Sequence, residues 1–347
     1  MYNPNYIQYI FKQSSGKLWN LYYDEKSGIC YSNLNKRNSW TEPISIQKNL
    51  HHLFHAEMDS DDVLHVFFQT TQGSIMYTTL NDGMSKTYPV LGSKVPQCYN
   101  KHLCLLPLMS NMHFLYTLKH NNSIILGHQT FSNGNVSTPR VVDYVTENAH
   151  PYSTAYDKVG NIYAFYQSSD GKYLQICYKK YNSAQKAWGD FTPITKYSGN
   201  AEFPRTIIDN RNIIHLCYQR KTSKQFELIY QQKVPDKNLW SNEILIHTSI
   251  YDFDNATILC LGNRILIYWV REDIIFHSFS EDNGASWSKP SRYNFPAGRQ
   301  LLCMSYKSNL AGEMDKIIAP QIPGSFINGY KLAFYQEAPA QAADMSA

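Results

Sequence analysis

A short apolar run that ends in an aromatic residue recurs along the 347 residues of this chain. The runs read LWNLY, LHVFF, MHFLY, IYAFY, IHLCY and RILIY, and they end at Tyr22, Phe68, Tyr116, Tyr166, Tyr218 and Tyr268. The successive intervals are 46, 48, 50, 52 and 50 residues. A period of this length indicates one supersecondary unit that is used repeatedly, and it constrains the fold more than any other feature.

Each repeat reads as four short strands joined by polar turns. Asp59, Asp157 and Asp209 lie nine residues before the terminal aromatic in turn-like segments, which predicts a tight turn between a first and a second strand. A third β-rich run follows the aromatic. In four repeats a tryptophan then opens a fourth run, namely Trp40, Trp188, Trp240 and Trp287. No segment shows the periodicity of a helix.

The second strand of each repeat is apolar at nearly every position, so it must be covered on both faces. Four-stranded sheets arranged radially meet this demand, whereas a β-sandwich would give alternating strands. We therefore predict an all-β single domain over residues 1–336, a β-propeller of four-stranded blades. Seven blades are expected, with 299–335 as a short, irregular last blade, and six is the alternative. The Ala-rich segment 337–347 reads as a tail or linker.

The composition excludes several classes of protein. The formal net charge is only +4 and the charges are interspersed, so no nucleic-acid partner is indicated. The 27 Tyr and 16 Phe argue against disorder. No stretch reaches the ~20 apolar residues of a membrane span, and residues 1–10 lack a secretory signal, which suggests a cytoplasmic protein or one released without a classical signal. The seven cysteines include no CxxC pair, and most are expected to be reduced and buried.

One turn carries a family signature. The segment SEDNGASW, from Ser280 to Trp287, resembles the Asp-box S-x-D-x-G-x-x-W of the sialidase-like β-propeller superfamily (BNR repeats). Asp282 is expected to accept backbone N–H bonds, Gly284 to take a positive φ and Trp287 to pack into the blade. The resemblance implies a structural role on the outer rim and a link to carbohydrates. It carries no catalytic residue, because the F/Y-R-I-P stretch of sialidases is missing near the N-terminus, and FPRT at 203–206 is the nearest segment.

The predicted ligand site lies on the face where the innermost strands begin, around the central channel of the ring. Ionisable and aromatic residues recur at this position in successive repeats and are expected to form a polar binding mouth. They are His55, His102, His150, Tyr152, Phe203, Arg205, Asp252, Asp254 and Arg299. The simpler interpretation is a hydrated channel mouth without a dedicated ligand.

Other histidines and the tryptophans favour structural roles. His65, His113 and His215 occupy the same strand position in different repeats, so the geometry of a ring separates them and no metal site is expected. The fixed repeat position of the tryptophans favours packing over sugar stacking. Asp252 and Asp254 share a face if they lie on a strand, which leaves a shared-proton pair and a solvated turn as alternatives.

We predict a non-catalytic binding or scaffolding propeller without a cofactor. A glycan or glycan-bearing surface is the first expected partner and a protein surface the second. A larger assembly through the C-terminal tail is a further possibility. The alternative function is a divergent sialidase-like glycoside hydrolase, which requires Arg205 and Arg299 to converge with a carboxylate such as Asp254.

Overall fold

The computed structural model describes residues 2–35, 39–94, 96–97, 99–234, 239–295, 300–314, 316–326 and 329–335. The regular elements in this part of the chain are β-strands, which confirms the all-β prediction. Within the same ranges there is no helix with the length and apolar character of a membrane span. The predicted site residue Arg299 and the predicted tail 337–347 lie outside the described residues.

The six repeats form six sheets in chain order. The first two sheets contain β1 (Ile7–Lys12), β2 (Leu18–Asp24), β3 (Gly28–Asn33) and β4 (Ile44–Gln47), then β5 (Leu50–Met58), β6 (Leu64–Thr70), β7 (Ile75–Asn81) and β8 (Met84–Leu91). The third contains β9 (Cys104–Leu108), β10 (Asn111–His120), β11 (Ser123–Ser132), β12 (Asn135–Val136) and β13 (Arg140–Val145).

The remaining three sheets follow the same order. The fourth contains β14 (Tyr152–Tyr156), β15 (Ile162–Ser169), β16 (Leu174–Asn182), β17 (Ala187–Trp188) and β18 (Thr192–Pro193). The fifth contains β19 (Ala201–Ile208), β20 (Ile214–Lys221), β21 (Phe226–Lys233) and β22 (Ile244–Ser249). The sixth contains β23 (Thr257–Leu261), β24 (Arg264–Arg271), β25 (Ile274–Ser280) and β26 (Ser291–Tyr293).

Within each sheet, consecutive strands pair antiparallel. The register of the fourth sheet is typical, because β15 and β16 pair without interruption from Ile162 opposite Tyr181 to Ser169 opposite Leu174. The third and fourth sheets each carry an extra outer piece, since β13 pairs with β11 and β18 pairs with β16. The predicted turns at Asp59, Asp157 and Asp209 join the first strand to the second, and each carboxylate accepts backbone N–H bonds from residues two and four positions later.

The sheets bury one another. Each of six hydrophobic clusters draws residues from neighbouring sheets, and the cluster at the sixth sheet also includes Ile10 of the first. The terminal aromatics of five second strands, Phe68, Tyr116, Tyr166, Tyr218 and Tyr268, are at most 1% exposed. Burial of a side chain of this kind contributes about 1.5–3 kcal/mol. The sheets thus form a β-propeller, as the repeat predicted.

The described C-terminal strands close the ring by pairing with the first and sixth sheets. They contain β27 (Leu302–Ser308), β28 (Ile317–Ile318), β29 (Ile322–Ser325) and β30 (Lys331–Leu332). β27 pairs in parallel with β1 of the first sheet, and β28 pairs with β23 of the sixth. A seventh blade is therefore not confirmed, because the described C-terminal strands extend existing sheets. The expected pairing between the first and last repeats is present.

The tryptophans of the fourth runs pack between sheets. Trp287 lies 4.7 Å from Tyr230 of the preceding sheet, measured between ring centroids. Trp240 contacts Phe165 of the fourth sheet at 6.0 Å. Trp188 donates its indole N–H to His128 Nδ1 of the third sheet at 3.1 Å. Through these contacts the three tryptophans help to pack neighbouring sheets against each other.

Candidate functional site

The strands nearest the central channel begin on one face of the ring, which we call the mouth. The mouth includes the starts of β1, β5, β9, β14, β19, β23 and β27. Tyr152 starts β14, and Phe203 and Arg205 lie on β19. His102 and His150 immediately precede β9 and β14, and Asp252 and Asp254 precede β23.

His102 and Tyr152 connect the third and fourth sheets at the mouth. The Tyr152 phenol donates a hydrogen bond to the carbonyl oxygen of His102. His102 has a φ of +42°, and its N–H donates to Asn100 Oδ1 at 2.9 Å. The left-handed backbone is thus supported by a side chain two residues earlier and by the next sheet. This places the two predicted residues beside each other.

A second set of hydrogen bonds connects the fourth and fifth sheets. The N–H of His150 donates to Asn148 Oδ1 at 2.7 Å, and the Asn148 amide donates to Gln167 Oε1 at 2.8 Å. The N–H of Phe203 donates to the same Gln167 oxygen at 3.2 Å. Phe203 itself has a φ of +55°, next to the register shift between Glu202 and Arg205. The buried Gln167 therefore holds both segments that approach the mouth.

The two histidines at the mouth are neutral at pH 7. Burial lowers the pKa of His102 to about 4, although the nearby Glu147 carboxylate opposes this shift. Burial lowers the pKa of His150 to about 2, and the positive charges of Arg205 and of His102 add to the effect. These interactions also show that His102, His150 and Arg205 are neighbours in space. The mouth thus offers imidazole nitrogens as hydrogen-bonding groups rather than as cations.

Arg205 is the principal cation of the described mouth. It is only 9% exposed, and among the described residues no hydrogen bond or ion pair engages its guanidinium. Its nearest charged and polar neighbours include Cys217, Tyr268, Asp254 and Cys303, and burial lowers its pKa. A buried guanidinium without a partner carries a desolvation cost that a bound anion offsets.

Asp254 supplies a carboxylate near Arg205. Burial and the charge of Asp252 raise the pKa of Asp254, and Arg205 opposes the shift. Asp252 is exposed, whereas Asp254 is half-buried. The two aspartates precede β23 and do not lie on it. The predicted pair thus consists of one exposed carboxylate, Asp252, and one half-buried carboxylate near Arg205, Asp254.

His55 makes structural contacts instead of facing a free space. The N–H of Leu105 in the third sheet donates to His55 Nδ1 at 3.2 Å, and the Tyr9 ring packs against the imidazole edge at 6.0 Å. The Tyr9 hydroxyl donates to the carbonyl of Phe54 at 2.9 Å. His55 therefore joins sheets, and its Nδ1 is already occupied.

The other end of the channel carries an ion pair. Lys307 on β27 lies 3.2 Å from Glu57 on β5. Burial alone would lower the pKa of Lys307, but the charge of Glu57 outweighs it and the pKa is raised. This cation is neutralised within the fold, whereas Arg205 is not.

A cleft of about 440 Å³ opens beside the channel at the mouth. Its wall includes Asn5 and Tyr6 before β1, Gln8 on β1, Tyr23 on β2 and His52 on β5, together with Leu302 and Cys303 on β27. The sequence did not predict this cleft, because residues from both ends of the chain form it. One residue of the repeat nevertheless marks the cleft. Tyr22 lines it, and of the six aromatics that end the second strands Tyr22 is the one that is not fully buried.

The Asp-box-like turn lies between β25 and β26, away from the mouth. Gly284 has a φ of +88° and its N–H donates to Ser280 Oγ at 2.7 Å. Asp282 accepts hydrogen bonds from the Ser286 hydroxyl, from the Ser286 N–H at 2.8 Å and from the Ser280 hydroxyl, and these three bonds lower its pKa to about 2. The geometry explains the serine, aspartate and glycine of the motif by local hydrogen bonding. Membership of the Asp-box superfamily stays a prediction.

The recurring histidines lie in internal networks. His65 bonds through Nδ1 to the Tyr77 hydroxyl at 2.7 Å and through Nε2 to Asp59 at 2.9 Å. His215 contacts Tyr230 at 2.7 Å in the same way. His113 Nδ1 lies 3.0 Å from His128 Nε2. In the described ranges no three His, Cys, Asp or Glu side chains are arranged to hold a metal ion.

No protein-family model matches the sequence, and no curated protein matches it. Solved structures do resemble the fold. An ulvan lyase, which represents a new family of polysaccharide lyase, aligns with a TM-score of 0.59 at 9% identity over 95% of this chain and 90% of its own. A mutant of the Aleuria aurantia lectin bound to Fucα1-6GlcNAc gives 0.44 at 13% identity, over 85% and 98%. A mutant of the NanB sialidase from Streptococcus pneumoniae gives 0.42 at 10% identity, over 90% and 82%. At these identities the likeness to the lyase shows a shared β-propeller-type fold.

Proposed function

We propose that this chain is a carbohydrate-binding β-propeller that binds an acidic glycan at the mouth of its channel. The observation that carries the proposal is the Arg205 guanidinium, which is nine-tenths buried and has no partner among the described residues. A carboxylate or sulfate on a sugar matches its planar set of donors. The neutral imidazoles of His102 and His150 add hydrogen-bonding groups for hydroxyls.

The composition of the mouth suits a saccharide better than an inorganic anion. Phe203 contributes partly exposed aromatic surface, and the half-buried Asp254 contributes a carboxylate acceptor for sugar hydroxyls. Binding sites of this class combine aromatic surface with a few oriented polar groups. The fold is also one that a polysaccharide lyase uses, which is compatible with the proposal.

The test is an array of acidic and neutral glycans probed with the full chain, followed by titration calorimetry on the glycans that bind. We expect acidic glycans to bind and Arg205→Met to weaken them at least about tenfold, the loss of one charge-assisted contact. Arg264→Met is the matched control, because Arg264 pairs with Glu281 on an exposed surface. Binding of neutral glycans only, or capture of a protein through another face, would contradict the proposal.

Catalysis at the same mouth is the second candidate, and Asp254 favours it. A carboxyl group whose pKa is raised by burial suits a general acid of a glycoside hydrolase. Of the two arginines expected for a sialidase-like clamp, Arg205 lies in the described mouth, and Arg299 lies outside the described residues. Turnover of fluorogenic sialosides and polyuronates by the wild-type chain, and its loss in Asp254→Asn, would establish an enzyme. Unchanged substrates across that panel would exclude it.

A further inference from the structure

The cleft beside the channel has an aromatic wall. The rings of Tyr6 and His52 stack at 5.1 Å with an interplanar angle of 12°, and His52 also stacks on His51 at 4.6 Å. Tyr23 meets the edge of His52 at 6.3 Å. Tyr6 remains 46% exposed. A pyranose ring presents an apolar face of C–H groups, and such a face packs on an aromatic surface of this kind.

The polar groups of the cleft suit hydroxyls. Asn5 and Gln8 provide amides, and Gln8 Oε1 is buried without a hydrogen-bond partner among the described residues. An unpartnered buried acceptor favours a ligand that brings a donor. The described lining includes the carboxylate of Glu25 and contains neither lysine nor arginine. Burial lowers the pKa of His52 and so disfavours its charged form. A neutral group fits this wall better than an anion.

The cleft adjoins the space around Arg205. Cys303 lines the cleft, and its thiol lies close enough to Arg205 for the guanidinium to affect its pKa. The Tyr2 phenol lies beside Cys303 and Tyr268, which are also near Arg205. Cys303 therefore belongs both to the lining of the cleft and to the surroundings of Arg205, and the cleft volume of about 440 Å³ falls in the range of small-molecule sites.

We infer that the cleft is a second subsite, which binds a neutral sugar residue linked to the acidic residue held at Arg205. The inference rests on the proposed function and narrows its ligand. The ligand is an oligosaccharide in which a carboxylated sugar adjoins a neutral one. Tyr6 supplies the stacking surface, and Asn5, Gln8 and Glu25 bind the hydroxyls.

The test compares two probes on the full chain by titration calorimetry at pH 7. One is glucuronate, and the other is a hyaluronan tetrasaccharide, in which glucuronate alternates with the neutral N-acetylglucosamine. We expect the tetrasaccharide to bind about tenfold more tightly, since one stacked ring with its hydrogen bonds contributes about that factor. Tyr6→Ala should reduce this advantage to less than about threefold and leave glucuronate binding unchanged. Tyr6→Phe should keep the advantage, because it keeps the ring.

Two further variants separate the subsites. Arg205→Met should weaken both probes, whereas Tyr144→Ala, which removes an exposed tyrosine on β13, should affect neither. If glucuronate binds but the tetrasaccharide has no advantage, or if Tyr6→Ala weakens both probes equally, the second subsite is wrong and the proposed function stands. If neither probe binds, the proposed function and the second subsite both fail. Unfolding curves of each variant report whether the fold is retained.

Discussion

Replacement of Arg205 by methionine should stabilise the protein while it weakens the proposed binding of acidic glycans. The side chain is 9% exposed and has no hydrogen bond or ion pair among the described residues. Asp254, the opposite charge near it, has a raised pKa and lies too far for an ion pair. Replacement of a buried ion pair by apolar residues of similar volume is often neutral or stabilises a protein by about 1–4 kcal/mol, and an ion without a partner lacks the attraction that offsets its desolvation. Because 9% of Arg205 is still exposed, we expect the lower part of that range, about 1–2 kcal/mol.

The assay is urea unfolding followed by tryptophan fluorescence, with the midpoint and the slope fitted separately. Arg205→Met should raise the midpoint at an unchanged slope, and Arg205→Lys should change it less because the charge remains. Arg264→Met, on the exposed surface, should stay within about 0.5 kcal/mol of the wild type. A loss of more than about 1 kcal/mol in Arg205→Met would show that the guanidinium holds the fold together, and the reasoning for an anion site would then fail.

Three other predictions concern stability and reactivity. Gly284→Ala should lower the free energy of unfolding by about 3 kcal/mol, because an added Cβ would lie 2.0 Å from the Tyr230 hydroxyl. Gly16→Ala should lower it by only about 1 kcal/mol, because Gly16 has a similar φ but open space around it. Equal losses in the two variants would contradict the steric argument. The pKa of His150 is lowered to about 2 in the folded protein, so below about pH 6.5 the unfolded chain binds a proton that the folded chain excludes. As the pH falls further, this residue should lower the free energy of unfolding by about 1 kcal/mol per pH unit. Urea midpoints at pH 7, 6 and 5 should therefore decline less steeply in His150→Gln, and parallel declines would refute this. Burial raises the pKa of Cys303 to about 12, so a thiol reagent at pH 8 should modify this cysteine only after denaturation. Mass spectrometry of labelled peptides can check this, and rapid labelling of Cys303 in the native protein would contradict the prediction.

The ring could be predicted from the sequence because its cause is local. A second strand such as IHLCY is apolar at every position but one, and Nδ1 of that one residue, His215, lies 2.7 Å from the Tyr230 hydroxyl inside the fold. Such a strand needs cover on both faces, and the period supplies the neighbours. The blade number could not be predicted in this way. The parallel pairing of β27 with β1 depends on how the ring closes, and no spacing in the chain indicates it.

The mouth was partly predictable because the repeat aligns equivalent positions of successive sheets. Equivalent positions in the repeats led to His102, His150 and Arg205, which the structure brings together. The same rule placed His55 among them, but the N–H of Leu105 occupies its Nδ1. The cleft escaped prediction because it is lined by Tyr6, at the start of the first repeat, and by Cys303, on a C-terminal strand, which only the closure of the ring brings together.

The pairing of β1 with β27 has a consequence for biosynthesis. During translation β1 emerges well before β27, its hydrogen-bonding partner, because nearly the whole ring separates the two strands in the chain. Until β27 is made, the backbone amides and carbonyls on that side of β1 remain available to any other extended chain, which is a recognised route to aggregation. We therefore expect the nascent polypeptide to be more prone to aggregation than the closed ring.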